Sequence, residues 1–246
     1  MPIDKRLINA ASSGKTHELK ALLLDPGCDA LSCDEGGISA LSWAAHYGHE
    51  DCVRMLLPRS DALASGKNGL TALIYAARSG HGACISLLLP ASNALAKRED
   101  GRTALMCAAW DGHESCVGLL LPASDARARD WDGRTALMYA SGRGHEACLR
   151  ILLPGSDAES TNDRGVTALM WAAGNGHDTC VSLLLPMSDV LAKDKKGETA
   201  SAWALGYGYE RLAEFIDAYV LAQEEKTDLN AAASPEARRG RLAHRM

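Results

Sequence analysis

One spacing constrains this chain more than any other feature. Glycine recurs at Gly37, Gly69, Gly101, Gly133, Gly165 and Gly197, each 32 residues after the last. A second column keeps the same step at Gly48, Gly80, Gly112, Gly144, Gly176 and Gly208. His follows that second column at His49, His81, His113, His145 and His177, until Tyr209 takes its place. Self-similarity at a period of about 20–50 residues marks an array of stacked units, none of which can bury its apolar face alone.

The unit from Gly101 reads GRTALMCAAWDGHESCVGLLLPASDARARD. Ser39, Thr71, Thr103, Thr135, Thr167 and Thr199 form a hydroxyl column suited to accept a backbone N–H at a helix start. Leu105, Ala108 and Ala109 then recur at helical spacing, and the two alanines permit close helix approach. Gly112 stops this short helix. A second begins near His113, carries Cys116, Val117, Leu119, Leu120 and Leu121, and ends at Pro122. Helices this short are marginal in water, so stacking must hold them. The spacing predicts an all-α solenoid of about seven helix–turn–helix units.

The order G-x-T-A-L-x-x-A-A-x-x-G-H, then C-V-x-L-L-L, then S-D-A, resembles ankyrin repeats over roughly residues 4 to 222. Two departures stand out. Ala72, Ala104, Ala136, Ala168 and Ala200 stand where that family usually opens the first helix with Pro, and the segment Pro122-Ala123-Ser124-Asp125 is one residue short. The units divide into an N-terminal capping repeat (1–36), five internal repeats (37–68, 69–100, 101–132, 133–164, 165–196) and a C-terminal capping repeat (197–222). The last closes with Leu212, Phe215, Ile216, Tyr219 and Val220 on one helical face. The tail 223–246, through Ser234-Pro235 and Arg238-Arg239-Gly240-Arg241, has no apolar period and is expected to be disordered.

Composition narrows the function. Of 246 residues, 47% are apolar and 23% charged, and the formal charge of −5 gives no general pull toward nucleic acid or anionic lipid. No apolar run approaches the ~18 residues of a membrane span, and the opening MPIDKRLINAASSGK lacks a secretory signal's apolar stretch. The expectation is a monomeric, cytoplasmic protein in a reducing compartment, with export as an effector left open. Ser13-Gly14-Lys15-Thr16 resembles the end of a phosphate-binding loop, but Asn9 stands where that motif needs Gly. Five His-x-x-Cys pairs, from His49/Cys52 to His177/Cys180, could begin a zinc site or a redox ladder. Units ~8–10 Å apart cannot readily pool ligands that must lie within ~2.3 Å of one metal, nor bridge their thiols. Histidines that tie the turns and cysteines that act as small buried hydrophobes are the plainer reading. No cofactor is expected, and no catalytic constellation stands outside residues that the repeat explains.

What varies between units is then the informative part. The first-helix face opposite Leu105 carries positions 107, 110 and 111, and eight of the twelve aromatics fall on that stripe. Trp43, Tyr75, Tyr139, Trp171 and Trp203 are regular enough to pack one first helix on the next. Tyr47, Arg78, Trp110, Asp111, Arg143 and Asn175, with Trp131 and Arg134 on the adjoining turns, are irregular and are the residue types of interface hot spots. The resemblance implies that the same face lines a concave groove used for partners. A non-catalytic module that binds another protein is therefore expected, with mixed charge on the turn tips arguing against nucleic acid. A metal- or redox-handling protein built on the His-x-x-Cys ladder, or an enzyme with an unrecognised site, are the alternatives.

Overall fold

A computed structural model describes residues 5–233, with 227–233 as backbone alone. Fourteen α-helices follow one another in pairs, and no strand occurs among the described residues. The first helices of the pairs are α1 (Lys5–Ser12), α3 (Ala40–His46), α5 (Ala72–Ser79), α7 (Ala104–Asp111), α9 (Ala136–Arg143), α11 (Ala168–Gly174) and α13 (Ala200–Gly206). Their partners are α2 (Thr16–Leu24), α4 (Glu50–Leu56), α6 (Gly82–Leu88), α8 (Glu114–Leu120), α10 (Glu146–Leu152), α12 (Asp178–Leu184) and α14 (Glu210–Ala233). This is a helical solenoid.

Local chemistry sets each boundary. The hydroxyl column caps the first helices: Thr103 Oγ1 accepts from the Met106 N–H at 3.4 Å, and Ser39, Thr71, Thr135, Thr167 and Thr199 do the same one helix apart. The alanines in place of proline become the first helical residues, a position where either fits. Each internal second helix does not break at its proline but tightens there into a 3₁₀ turn, such as Leu121–Ala123, where the proline's missing N–H costs nothing.

First helices stack on first helices and second on second, the first layer approaching more closely along the array. Columns of alanine such as Ala108 and Ala109, fully buried, make that approach possible. An array packed more tightly on one layer bends toward it, so the first helices form the inner side. Leu105, Val117 and Leu120 are also fully buried, each worth about 1.5–3 kcal/mol relative to exposure. Beyond the helices, the turn tips are joined by backbone hydrogen bonds: Lys67 N–H to Gly36 O, Glu99 to Asn68, Trp131 to Asp100, Asp163 to Asp132 and Lys195 to Arg164.

Histidine does more than close its own turn. His145 Nε2 donates to the Trp110 carbonyl at 3.0 Å, so the ring reaches back into the preceding unit. His49, His81, His113 and His177 make the same reach, to Ser12, His46, Arg78 and Gly142. Each bond satisfies a carbonyl left open at the end of a first helix. The glycine beneath is required twice over. Gly112 has φ +77°, and a Cβ there would stand 2.5 Å from His145 Nδ1.

A second tie joins three of the turns to the helix that follows, and the sequence pattern alone does not disclose it. Asp34 Oδ1 accepts from the N–H groups of Gly36 and Ile38, while its Oδ2 accepts from Trp43 Nε1 at 2.9 Å. Asp194 repeats this with Lys196, Glu198 and Trp203 Nε1, at 3.2 Å from the indole. Asp130 holds its own turn and accepts from the Tyr139 hydroxyl. At the sixth unit Asn162 stands in the same place and its Oδ1 accepts from Arg164 and Val166. Its amide nitrogen and Trp171 Nε1 are both buried and both lack an acceptor.

The C-terminal unit departs from expectation in two ways. Leu212 and Ile216 are buried, but Phe215 is 47% exposed, because no unit among the described residues packs over that side of α14. Helix α14 also runs to Ala233, past Gln223 where disorder was expected. Glu, Lys, Leu, Gln and Ala dominate that stretch and favour helix without an apolar period. Ser234 onward, including the arginine cluster, lies outside the described residues.

Two stability predictions follow. Gly112→Ala should lower the unfolding free energy measured by denaturant titration by about 2 kcal/mol, from left-handed backbone strain and the imidazole contact together. In a His145→Ala background only the backbone part should remain, which a double-mutant cycle reads directly. Asn162→Asp should raise stability by about 1–2 kcal/mol by giving Trp171 Nε1 an acceptor, and Asp34→Asn should lower it by a similar amount. Asp130→Asn should cost less, since a phenol can accept from an amide and an indole cannot. Equal effects at Asp34 and Asp130 would show that the indole bond is not the source.

Candidate partner-binding groove

The inner face is built from the ends of the first helices and the turns beside them. Its centre is Trp110, half-buried at the end of α7, with the Tyr139 ring edge-on at 5.2 Å between centroids. Two guanidinium groups stack on that indole. Arg143 Cζ lies 3.9 Å from its centroid and Arg102 Cζ 5.0 Å, with Arg102 also 4.7 Å from the Tyr139 ring. Arg134 lies 5.5 Å from the Trp171 ring. A cavity of about 320 Å³ is lined by Trp110, Arg134, Tyr139, Arg143, Trp171 and Asn175, among others.

The structure therefore gathers four of the eight residues singled out in the sequence: Trp110, Arg134, Arg143 and Asn175. Asn175 Nδ2 donates to the Trp171 carbonyl at 2.8 Å, which holds the side chain at the cavity wall. Arg78 and Asp111 are exposed on neighbouring first helices, outside this cavity. Tyr47 lies at the N-terminal end, 49% exposed, stacked on Trp43 at 5.8 Å and lining a separate hollow with Asp34 and Lys5.

Trp131 stands apart as well. It is 64% exposed, but its backbone N–H bonds Asp100, its indole N–H bonds the Glu99 carbonyl, and Lys97 Nζ lies 5.1 Å from its ring. It clasps the preceding turn over Gly101, where a Cβ would meet its backbone nitrogen at 2.7 Å. Of the regular column, Tyr75 and Tyr139 are buried, and Trp43, Trp171 and Trp203 are half-buried against the core.

Two residues of this face, Arg102 and Arg98, are not among those that variation along the first helices singles out, because both stand on the turns. The signal lay in the position after the first glycine, which runs Ile38, Leu70, Arg102, Arg134, Val166, Glu198 and turns cationic only at the centre.

Charge and burial act on this face together. Burial pushes the Tyr139 hydroxyl up to about 12, with the Asp130 hydrogen bond adding to the rise while Arg134 and Arg102 pull it down. Burial raises the Cys107 thiol, while Arg98, Arg102 and Arg78 draw it back, so all three charges bear on one point. At the N-terminal end burial lowers the His46 pKa, with the charge of Arg78 adding to the effect, and its Nδ1 lies 3.0 Å from Ser79 Oγ.

The His-x-x-Cys pairs form no such assembly. Each histidine spends Nε2 on the preceding unit's carbonyl. Cys52, Cys84, Cys116, Cys148 and Cys180 are buried thiols raised by desolvation, Cys84 and Cys148 to about 11. Among the described residues no three His, Cys, Asp or Glu side chains meet in a metal-binding group, and no helix is long and apolar enough to cross a membrane.

Comparison of the sequence with curated proteins finds no match. A family model described as ankyrin repeats, three copies, matches residues 7–100, 90–162 and 143–228. Those spans cover nearly every helix pair described above. The chain belongs to the ankyrin-repeat family.

Proposed function

We propose that this chain is a non-catalytic module that holds a partner protein along its inner groove and turn tips. Ankyrin repeats are in general protein–protein interaction modules and typically non-catalytic. The observation that carries the reading is the cluster at Trp110. A large aromatic with arginines stacked on it, at the centre of an open cavity, has the composition and setting of an interface hot spot.

The mechanism is preorganisation. Trp110 and Tyr139 are held edge-on, and Arg102 and Arg143 rest on rings rather than swinging free. The hydrogen-bonded ladder of turns fixes the spacing of the tips beside them. A surface set in this way loses little conformational entropy when a partner arrives. Whether the chain acts as adaptor, inhibitor or stabiliser then depends on what the partner does.

Affinity capture from native lysate tests this reading with two baits, wild type and a Trp110→Ala/Trp131→Ala variant shown by circular dichroism to remain folded. A protein held by wild type and lost from the variant is the expected result. Truncating a central hot-spot aromatic costs about 2 kcal/mol or more, roughly thirtyfold in affinity. No specific protein on either bait would sink the proposal.

A further inference from the structure

We propose that the centre of the groove takes an extended acidic segment of a partner protein, whose carboxylates are held by Arg78 and Arg143 beside Trp110. The inference rests on the binding-module reading and adds the chemistry of what binds.

The charge distribution is the first support. Arg78, Arg98, Arg102, Arg134 and Arg143 all lie on or beside three adjacent first helices, α5, α7 and α9. Five carboxylates stand near them: Glu99, Asp100, Asp111, Asp130 and Asp132. Asp100 is drawn to Arg98 at 3.3 Å and to Arg102 at 3.5 Å, Asp132 pairs with Arg134 at 3.2 Å, and Asp130 accepts from Tyr139; Glu99 and Asp111 are exposed. The paired acids serve Arg98, Arg102 and Arg134 and leave Arg78 and Arg143 uncompensated among the described residues. Further acids sit in the other layer, where Glu50, Asp51, Glu114, Glu146 and Asp178 open the second helices. Two guanidinium groups without an ion pair on the inner face attract an anionic segment there.

The state of the arginines is the second support. Arg78 and Arg143 are exposed, and neither has an ion-pair partner among the described residues. Arg143 rests over Trp110 and, exposed and without an ion pair, keeps N–H donors for a carboxylate, whereas Arg102 on the same indole is already drawn to Asp100. The indole also excludes water from one side, where an arginine–carboxylate contact is stronger than in open solvent.

Geometry sets the length. Arg78 and Arg143 are borne two units apart, but Arg143 reaches back onto Trp110, one unit from Arg78, so the two charges stand about 10 Å apart at the usual helix spacing, which an extended chain spans in about three residues. A peptide rather than a nucleic acid fits because Glu99, Asp100, Asp111, Asp132 and Asp163 interrupt the positive surface. A segment with spaced carboxylates can avoid them, whereas a continuous phosphate backbone cannot.

The test is fluorescence anisotropy of a fluorescein-labelled decaglutamate peptide with the full chain, against a labelled Gly-Ser decamer and a labelled ten-nucleotide oligothymidylate. Saturable decaglutamate binding, weakened severalfold by moderate salt and absent for the Gly-Ser decamer, is expected. Arg78→Gln and Arg143→Gln should each weaken it about threefold, and Arg150→Gln, on the second-helix layer, should leave it unchanged. Circular dichroism checks that each variant is folded. The proposal is overturned if decaglutamate does not saturate, if Arg150→Gln matters as much as Arg143→Gln, or if the oligonucleotide binds more tightly. Its failure is separable from that of the broader reading. A protein captured by wild type alone, with no decaglutamate binding, removes the acidic chemistry and leaves the groove as a binding surface; failure of both experiments removes both.

Discussion

The imidazole that reaches back from one unit to the carbonyl of the previous one holds this architecture in register. A two-helix unit of this size has too little apolar surface to fold alone. Apolar stacking supplies the energy but is indifferent to small slips along the stack. The histidine is not. Its ring must lie over a glycine with no side chain, and its Nε2 must meet the one carbonyl that the preceding helix leaves open. Helix termination, repeat spacing and loop position are thereby fixed by a single contact, repeated five times. Where Tyr209 replaces histidine, its ring still covers Gly176, but a phenol at the end of a longer ring cannot make the same bond, and the regular array gives way to the long closing helix.

The inner face obeys the same logic with a different outcome. In the column that begins with Trp43, an acid nine residues earlier anchors Trp43, Tyr139 and Trp203, so those aromatics serve the scaffold. The position holds Gly66 before Tyr75 and Asn162 before Trp171, and in the fourth unit the pair is Arg98 and Cys107. The aromatic role there passes three residues along the helix to Trp110, which is available to arginines. The arginine-lined centre of the groove thus sits at one of the places where the acid–aromatic tie is missing.

Much of this was legible in the sequence. The glycine columns, the capping hydroxyls and the buried leucines follow from backbone conformation, hydrogen-bond need and apolar periodicity, all of which repeat. So did the identity of Trp110 and Arg143 as departures from a pattern. The acid–aromatic tie was hidden because its partners lie in different elements and because the acid also looks like an ordinary turn former. The grouping of Trp110, Arg134, Arg143 and Asn175, and the exclusion of Tyr47 and Trp131 from it, depended on how far each side chain reaches between stacked units. Periodicity gives the face of a helix, not that reach. Phe215 shows the converse: its spacing is that of a buried residue, yet none of the described units covers it.

The ladder of backbone bonds between turn tips has a further consequence. Each tip is bonded to the tip before it through a main-chain pair, as Glu99 N–H is to the Asn68 carbonyl and Asp163 N–H to that of Asp132, and side chains such as Lys97, Arg129 and Trp131 add ties at only some of the joints. The common joint is therefore independent of side-chain identity at the tips. A unit can be lost or copied whole, and the next tip will find the same carbonyl at the same height. The array can change its length, and hence the size of ligand it measures, without redesigning a single joint.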